Sequence, residues 1–346
     1  MQTLKAVFVR GQNTVSVDDI DNPELTGEGD VLVKMRACGL CGSDLEKVYG
    51  QYGMASGMLG HEPAGEIARV GGSVKDFEIG DRVFIHHHVA CNSCHYCLHG
   101  DHTMCNAYQA SNIYPCGLSE QFLVPEWNVS RGGLIRLPET VTFDEASLIE
   151  PLACCIRALN KCKFQKGDDV AVIGAGPAGM MHARLAEAFG AGKIFVVDIN
   201  KFRLDFAARY SNLRALNAVE NPTQIIKEET QGRGVDLCVV ATGSTKALIQ
   251  SFEITRRGGK VLLFGVPPKG TEFPCDVGRL YSHEHSIIPS YAASEVETNQ
   301  ALKLIENKRT NLVALITHRF DISDAAHAVK CAHEAKDAMK VIVTTK

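Results

Sequence analysis

Residues 170–200 read VAVIGAGPAGMMHARLAEAFGAGKIFVVDIN, and this stretch decides the fold of the second half of the chain. Its first apolar run is typical of a buried β-strand, and a helical pattern follows before a second apolar run. The succession of strand, helix and strand predicts a βαβ unit. Further along, LCVVAT and KVLLFG alternate with the helical segment TKALIQSFEITRR, so we expect a doubly wound parallel sheet of the α/β class.

Three glycines follow the first strand directly. Gly174, Gly176 and Gly179 have G-x-G-x-x-G spacing, and Pro177 lies where the helix begins. Glycine at these positions allows a tight turn, close approach of the backbone to a pyrophosphate, and close packing of helix against strand. The helix N-terminus adds free N–H donors for the phosphates. The spacing therefore predicts a Rossmann-type dinucleotide site.

Asp198 ends the second strand, where an acid hydrogen-bonds the hydroxyls of an adenine ribose. Its charge repels a 2′-phosphate, so the sequence favours NAD over NADP. The alternative is that Asp198 only caps the following helix. Arg203, five residues later, either flanks the adenosine or is a solvated charge on the helix.

The composition excludes several classes of partner. The chain has 346 residues, of which 45% are hydrophobic, and its 36 basic and 40 acidic side chains give a net charge of -4. No basic stripe favours nucleic acid, and no apolar run is long enough to span a membrane. Without a secretory signal pattern, we expect a cytoplasmic protein with neither partner.

The chain is long enough for two domains. Up to about residue 140, short apolar runs such as AVFV and RVFI are separated by turn residues, which predicts an irregular, strand-rich domain. A last parallel strand is expected at HSIIPSYA, followed by a helix in TNQALKLIENKR and a strand in KVIVTT. We therefore predict one domain from residues 1–151 with 293–346, and a dinucleotide-binding domain from residues 152–292.

Four of the 13 cysteines lie close together as C-x2-C-x2-C-x7-C, namely Cys91, Cys94, Cys97 and Cys105. This spacing lets one loop place four thiolates around a tetrahedral zinc ion. Because four protein ligands leave no position for water or substrate, we expect a structural zinc. The neighbouring run His86–His88 is not expected to bind metal, because successive side chains of a strand point to opposite faces.

A second set of metal-binding residue types is spread more widely. Cys41 lies in GLCGSDL, and His61 and Glu62 lie in GHEPAGEI. Taken alone, a cysteine and a histidine twenty residues apart are more often structural than metal-binding.

Together, these segments resemble the zinc-containing medium-chain dehydrogenases, in particular their polyol branch. The motifs GHE followed by AGEIARVG, the four-cysteine loop, and GAGPAG with Asp198 occur in the order of that family. The likeness extends from KAVFV near the start to KVIVTT at the end. It implies a GroES-like β-rich catalytic domain beside a Rossmann domain, two zinc ions per chain, NAD, and a homodimer or homotetramer.

The resemblance also implies roles for individual residues. The catalytic zinc is expected on Cys41 and His61, with an acid completing its shell. Two acids are candidates, Glu62 and the Glu150 of EPLA, one binding directly and the other through water or by exchange. In the alcohol dehydrogenase branch a cysteine takes the place of Glu150.

Three residues near Cys41 are expected to support the chemistry. Asp44 corresponds to an acid that orients the ligating histidine, and Ser43 to a hydroxyl that takes the alcohol proton toward solvent. Glu46 departs from the family pattern, which often has a histidine there, so either Glu46 is the terminal base or the proton leaves by water.

The expected activity is oxidation of a secondary alcohol of a small polyol or sugar-like substrate to a ketone by NAD, since an open zinc site lowers the pKa of an alcohol. The alternatives are a threonine-type or a primary alcohol dehydrogenase. A dinucleotide-binding structural protein is a third alternative, but such relatives lose the zinc ligands that this chain retains.

Overall fold

The computed structural model describes residues 3–50 and 57–346. Within these ranges the chain forms two compact units. The first unit lies in Met1–Ala153 and Ala292–Lys346, and the second is Cys154–Tyr291. No helix in the described ranges combines the length and apolar character needed to cross a bilayer.

The elements before the glycine-rich loop are short. In chain order they are β1 (Thr3–Gly11), β2 (Thr14–Asp21), β3 (Val31–Gly39), α1 (Gly42–Tyr49), β4 (Glu62–Val70), β5 (Arg82–Ile85), α2 (His95–Leu98), α3 (Asn106–Ala110), β6 (Gln121–Val124), α4 (Glu126–Val129), β7 (Leu134–Arg136), α5 (Phe143–Ala146) and α6 (Ile149–Lys161).

Strands and helices then alternate. The second unit contains β8 (Val170–Ile173), α7 (Pro177–Ala188), β9 (Ile194–Asp198), α8 (Lys201–Ala207), β10 (Leu213–Asn217), α9 (Pro222–Glu229), β11 (Val235–Val240), α10 (Thr245–Ile254), β12 (Thr255–Leu263), α11 (Val277–His283) and β13 (Ser286–Pro289). The chain ends in the first unit with α12 (Glu295–Glu306), β14 (Ile316–Asp321), α13 (Ala325–Glu334) and β15 (Lys340–Thr344).

The second unit is built on a six-stranded parallel sheet in the order β10-β9-β8-β11-β12-β13. Strand β8 lies between β9 and β11, so the strand order reverses at β8 and the glycine-rich loop leaves the sheet at this switch point. Buried side chains such as Phe195, Val197 and Val261 form the core. The predicted doubly wound parallel sheet is confirmed.

The first unit contains a larger, mostly antiparallel sheet in the order β14-β15-β3-β4-β5-β7, with β6 paired to β3, and a separate β1-β2 hairpin. Its core includes Val33, Met35, Phe122 and Val341, all buried. The C-terminal strand β15 pairs antiparallel with β3, placing Ile342 opposite Gly39. On its other side, β3 places the same Gly39 opposite Glu62 of β4. This register brings the end of the chain beside Glu62.

Two predicted elements differ from the structure in their bounds, and one strand was not predicted. The strand predicted at HSIIPSYA spans only Ser286–Pro289. The helix predicted through TRR ends at Ile254, because Thr255 begins β12 and Arg256 pairs with Asp236 of β11. Strand β10 was not predicted because it is an edge strand with polar residues such as Arg214, which lack the apolar pattern of the central strands.

Candidate active site and metal centres

The four-cysteine loop follows β5 in the first unit. The sulfurs of Cys91 and Cys97 are 3.9 Å apart, those of Cys94 and Cys97 are 3.5 Å apart, and those of Cys105 and Cys91 are 3.6 Å apart. A tetrahedral zinc about 2.3 Å from each sulfur requires sulfurs roughly 3.8 Å apart. The four thiols therefore fit a closed zinc site, as their spacing predicts.

Hydrogen bonding and burial shift the pKa values of these thiols in opposite directions. Hydrogen bonds from the backbone and hydroxyl of Ser93, and from the backbone of Cys94, lower the pKa of Cys91 to about 5. Burial acts in the opposite direction on Cys97 and raises the pKa of its thiol to about 12. A cation among these sulfurs favours the thiolate form of each.

A second group of donors lies between the end of β3 and the start of β4. Cys41, His61 and Glu62 each contribute one donor atom, and these three atoms lie within 4.8 Å of one another. Cys41 is the residue before helix α1, and His61 and Glu62 lead into β4. A thiolate, an imidazole and a carboxylate are all zinc ligands, and three protein ligands leave a fourth position open for water or substrate.

Asp44 connects the two segments that supply these donors. Its buried carboxylate accepts hydrogen bonds from the backbone N–H of Cys41 at 3.1 Å and of Gly60 at 3.0 Å, and lies 3.4 Å from Nδ1 of His61. Burial alone raises the pKa of Asp44, but the His61 ring and these hydrogen bonds outweigh burial and hold it well below its usual range. An ionised carboxylate on Nδ1 leaves Nε2 of His61 as the metal-binding nitrogen.

Ser43 lies beside that nitrogen. Its Oγ is 3.5 Å from Nε2 of His61, so the hydroxyl borders the donor group. Glu46, one helical turn further along α1, has its carboxylate against Gly50. Among the described residues, no hydrogen bond joins Glu46 to Ser43, and its role as terminal base stays a prediction.

Lys340 of β15 forms a buried ion pair with Glu62. Its ammonium donates to Oε2 of Glu62 at 2.5 Å and to the carbonyl of Leu40 at 2.9 Å. Lys340 and Glu62 are 2% and 0% exposed, and the carboxylate overcomes the effect of burial to raise the pKa of Lys340. A Cβ on Gly39 would lie 1.8 Å from Oε2 of Glu62, so the pair requires glycine there.

The second oxygen of Glu62 fits a metal ligand. Oε1 is buried and has no hydrogen-bond partner among the described residues. A buried acceptor left unsatisfied costs about 1–3 kcal/mol, and a cation beside Cys41 and His61 removes that cost. Lys340 was not predicted from the sequence. A lysine at the start of the apolar run KVIV is unusual, but only the sheet pairing identifies Glu62 as its partner.

Glu150 lies in the first turn of α6 and is 6% exposed. It is close enough to raise the pKa of Glu62 and of Lys340 electrostatically. It does not belong to the group formed by Cys41, His61 and Glu62. Of the two candidate acids, the geometry brings Glu62 to the other donors and leaves Glu150 nearby.

In the second unit, Gly174 follows β8 with a φ of +104°, a conformation that favours glycine. A Cβ on Gly179 would lie 1.8 Å from the carbonyl oxygen of Gly174, so helix and strand are packed too closely for a side chain. Gly176 is the N-cap of α7 and Pro177 its first residue, which leaves the helix N-terminus free to face phosphates.

Asp198 lies at the end of β9, facing this loop. Its Oδ2 accepts a hydrogen bond from the backbone N–H of Ala175 at 2.6 Å, and its Oδ1 accepts one from Asn200 at 2.8 Å. The side chain of Asn200, not Asp198, caps helix α8. Arg203 has Nη1 3.9 Å from Asp198 and 3.5 Å from a Cβ built on Gly176, so it flanks the glycine loop.

A parallel sheet with a glycine-rich dinucleotide loop, a closed four-sulfur site and a second open donor group define a zinc-binding dehydrogenase. Residues 27–138 match the alcohol dehydrogenase GroES-like domain, and residues 177–307 match the zinc-binding dehydrogenase family. The predicted GroES-like and Rossmann domains are thus confirmed.

Individual relatives agree with this assignment. The chain is 30% identical to a sorbitol dehydrogenase of Bacillus subtilis, over 99% of this chain and 97% of that protein. It is 30% identical to D-xylulose reductase A of Aspergillus oryzae, over 95% and 92% of the two chains. An alcohol dehydrogenase from Thermus sp. ATN1 has a similar structure, with a TM-score of 0.88, 29% identity and coverage of 99% and 100%.

The chain therefore belongs to the zinc-containing medium-chain alcohol and polyol dehydrogenases, as the resemblance of its motifs indicated. It is an oxidoreductase acting on CH–OH groups, which excludes the dinucleotide-binding structural protein.

Metal analysis tests the two donor groups. We expect two zinc ions per chain, one for each group. Cys41→Ala should reduce the zinc content to one ion per chain while the protein stays folded. Cys94→Ser should also reduce the zinc content to one ion per chain, and it should lower the melting temperature. A ratio of one that Cys41→Ala leaves unchanged would remove the second site.

Replacing Lys340 tests the buried ion pair. Lys340→Met leaves the charge of Glu62 buried without its partner, so we expect a loss of about 3 kcal/mol and a melting temperature lower by roughly 6 °C or more. Lys340→Met combined with Glu62→Gln should recover at least half of this loss.

The matched control is Lys330→Met, which removes a lysine that is 66% exposed and 3.8 Å from Glu334. It should change stability by no more than about 0.5 kcal/mol. Equal melting temperatures for the Lys340→Met and Lys330→Met proteins would show that the buried pair contributes nothing.

Proposed function

We propose that this protein oxidises a secondary hydroxyl of a polyol or sugar-like substrate to a ketone, with NAD as hydride acceptor and zinc bound by Cys41, His61 and Glu62. The observation that carries the proposal is the group of three donor atoms within 4.8 Å of one another. When bound, the zinc polarises a hydroxyl oxygen and lowers its pKa, and NAD accepts the hydride. The C–H pair of electrons leaves with the hydride, and the O–H proton leaves to solvent.

Side chains of the first unit orient the His61 ring and accept the proton of the substrate hydroxyl. Asp44 holds the His61 ring through Nδ1, and Ser43 places a hydroxyl 3.5 Å from Nε2 of the same ring. Ser43 therefore accepts the proton of a substrate hydroxyl bound beside His61. Because the Glu46 carboxylate lies against Gly50, the geometry supports exit of the proton from Ser43 by water rather than through Glu46.

The presence of an acid at position 150 favours a polyol as the substrate. The resemblance places an acid at this point in the polyol branch, and one relative is named a sorbitol dehydrogenase and another D-xylulose reductase. Glu150 lies close enough to Glu62 to act on it electrostatically. We assign Glu62 as the direct ligand. Glu150 then either holds a water beside the metal site or exchanges with Glu62.

Asp198 supports NAD as the cofactor. It bonds the loop N–H of Ala175 and keeps a negative charge where a 2′-phosphate would lie. Arg203 beside it has a buried Nε without a hydrogen-bond partner among the described residues, which suits contact with the adenosine. The homodimer or homotetramer stays a prediction, as does the cytoplasmic location. Strand β13 is an edge of the second sheet and, among the described residues, pairs only with β12.

Initial rates of NAD reduction across polyols, sugars, threonine and primary alcohols test the substrate class, and the same assay with NADP tests Asp198. We expect the highest kcat/KM with a polyol. We also expect a preference for NAD, and Asp198→Ala should lower the ratio of kcat/KM with NAD to kcat/KM with NADP at least tenfold. A parent protein that uses threonine or a primary alcohol best, or both cofactors equally, would contradict the proposal.

Replacing Glu150 separates a role at the metal from helix capping. If Glu150 acts at the metal that Cys41, His61 and Glu62 would hold, Glu150→Ala should lower kcat at least tenfold, or about 1.4 kcal/mol of barrier, with NAD affinity unchanged. An acid that only favours the N-terminus of α6 contributes about 0.3–1 kcal/mol to stability. Turnover and melting temperature are measured together on Glu150→Ala and Glu150→Gln. Near-normal turnover with lower stability would contradict the role at the metal.

A further inference from the structure

The histidine run after β5 lies beside the Cys41 and His61 group. Strand β5 ends at Ile85, so His86–His88 are not in a strand and the alternation predicted for their side chains does not apply. The backbone here is fixed, because the Asn128 amide donates to the carbonyls of His86 and His87 at 3.3 and 2.8 Å. None of the three belongs to a metal-binding group among the described residues.

Two of these histidines face the interior of the first unit. His88 donates through Nδ1 to the carbonyl of Ser111 at 2.5 Å, and its ring centroid is 5.3 Å from that of Tyr108. His86 is 0% exposed, with its Nδ1 3.7 Å from Glu295. Both side chains therefore contact the segments packed around the four-cysteine loop.

Of these three histidines, His87 is the one whose ring contacts that of His61. Its ring centroid lies 5.3 Å from that of His61, with the two planes inclined by 48°. Its Nδ1 is buried and, like both ring nitrogens of His86, has no hydrogen-bond partner among the described residues. Unlike the fully buried His86, however, His87 is partly exposed. The ring is thus next to a metal ligand without being one.

An unpartnered ring nitrogen at this place suits a hydroxyl of the substrate. A buried polar atom without a partner costs about 1–3 kcal/mol, and a bound hydroxyl recovers this cost. A hydroxyl both donates and accepts, so it pairs with either tautomer of a neutral imidazole. A site with such a group discriminates strongly against an analogue that lacks the hydroxyl, because the nitrogen then stays unpaired.

We propose that His87 is a specificity-determining residue that hydrogen-bonds a second hydroxyl of the substrate, on the carbon next to the one oxidised. This inference rests on the proposed function and narrows its substrate class to vicinal diols. The reacting hydroxyl lies beside His61 and Ser43, and the neighbouring hydroxyl meets the ring of His87. A secondary alcohol without that second hydroxyl is therefore a poorer substrate.

The test compares 2,3-butanediol with 2-butanol, which have the same carbon chain and differ in one hydroxyl. The measured quantity is the ratio of kcat/KM for the diol to kcat/KM for the alcohol. His87→Phe keeps an aromatic ring without nitrogen and should lower this ratio at least tenfold. His87→Asn restores a hydrogen-bonding group and should recover part of the ratio. Calorimetry should show weaker binding of the diol to the zinc-loaded His87→Phe protein.

His88→Phe is the matched control, since it removes the neighbouring ring nitrogen and its bond to Ser111. It should lower the melting temperature and leave the ratio within about twofold of the parent. The proposal is overturned if His87→Phe leaves the ratio unchanged, if His88→Phe lowers it equally, or if His87→Phe loses a zinc ion, which would make His87 a ligand. A parent protein that oxidises neither compound nor any polyol contradicts the proposed function itself, whereas an active parent with an unchanged ratio contradicts only the role of His87.

Discussion

The candidate active site depends on one buried carboxylate. Asp44 holds the backbone before helix α1 through Cys41, the backbone before strand β4 through Gly60, and the ring of His61. This carboxylate adds to the pairing of β3 with β4 a direct link between two chain segments about twenty residues apart. Three polar contacts outweigh the cost of burying the charge, which is why the pKa of Asp44 stays low. The same contacts orient Nε2 of His61 and place Ser43 beside it.

The two donor groups show how local and long-range constraints differ. The four cysteines lie within one loop, and their sulfurs come together through turns of a few residues. The Cys41 group requires three strands in register, because β3 places Gly39 between Glu62 of β4 and the C-terminal strand β15. The ion pair of Glu62 and Lys340 joins residues 278 positions apart. Only a fold with this register gives a carboxylate with one oxygen on Lys340 and the other free for a metal.

These distances in the chain explain how much the sequence could predict. The glycine-rich loop, Asp198 and the four-cysteine loop were predictable because each motif performs its task within one supersecondary unit. Lys340 was not, because its partner is specified by sheet pairing rather than by spacing. His87 was predicted not to bind metal, and it belongs to no metal-binding group among the described residues. Its place beside His61 was not predictable, because the strand expected to continue through it ends at Ile85. The choice between Glu62 and Glu150 also needed the three-dimensional arrangement, since both follow motifs of the family.

We propose that the Cys41, His61 and Glu62 group holds a metal with a position open to an alcohol. Cobalt binds the same nitrogen, oxygen and sulfur ligands as zinc, and its visible spectrum depends on its coordination. The most direct measurement is the spectrum of the cobalt-substituted protein during titration with 2,3-butanediol. We expect a saturable spectral change that is absent from Cys41→Ala, since the four-cysteine site has no open position. A spectrum that no alcohol changes, or the same change in Cys41→Ala, would contradict the proposal.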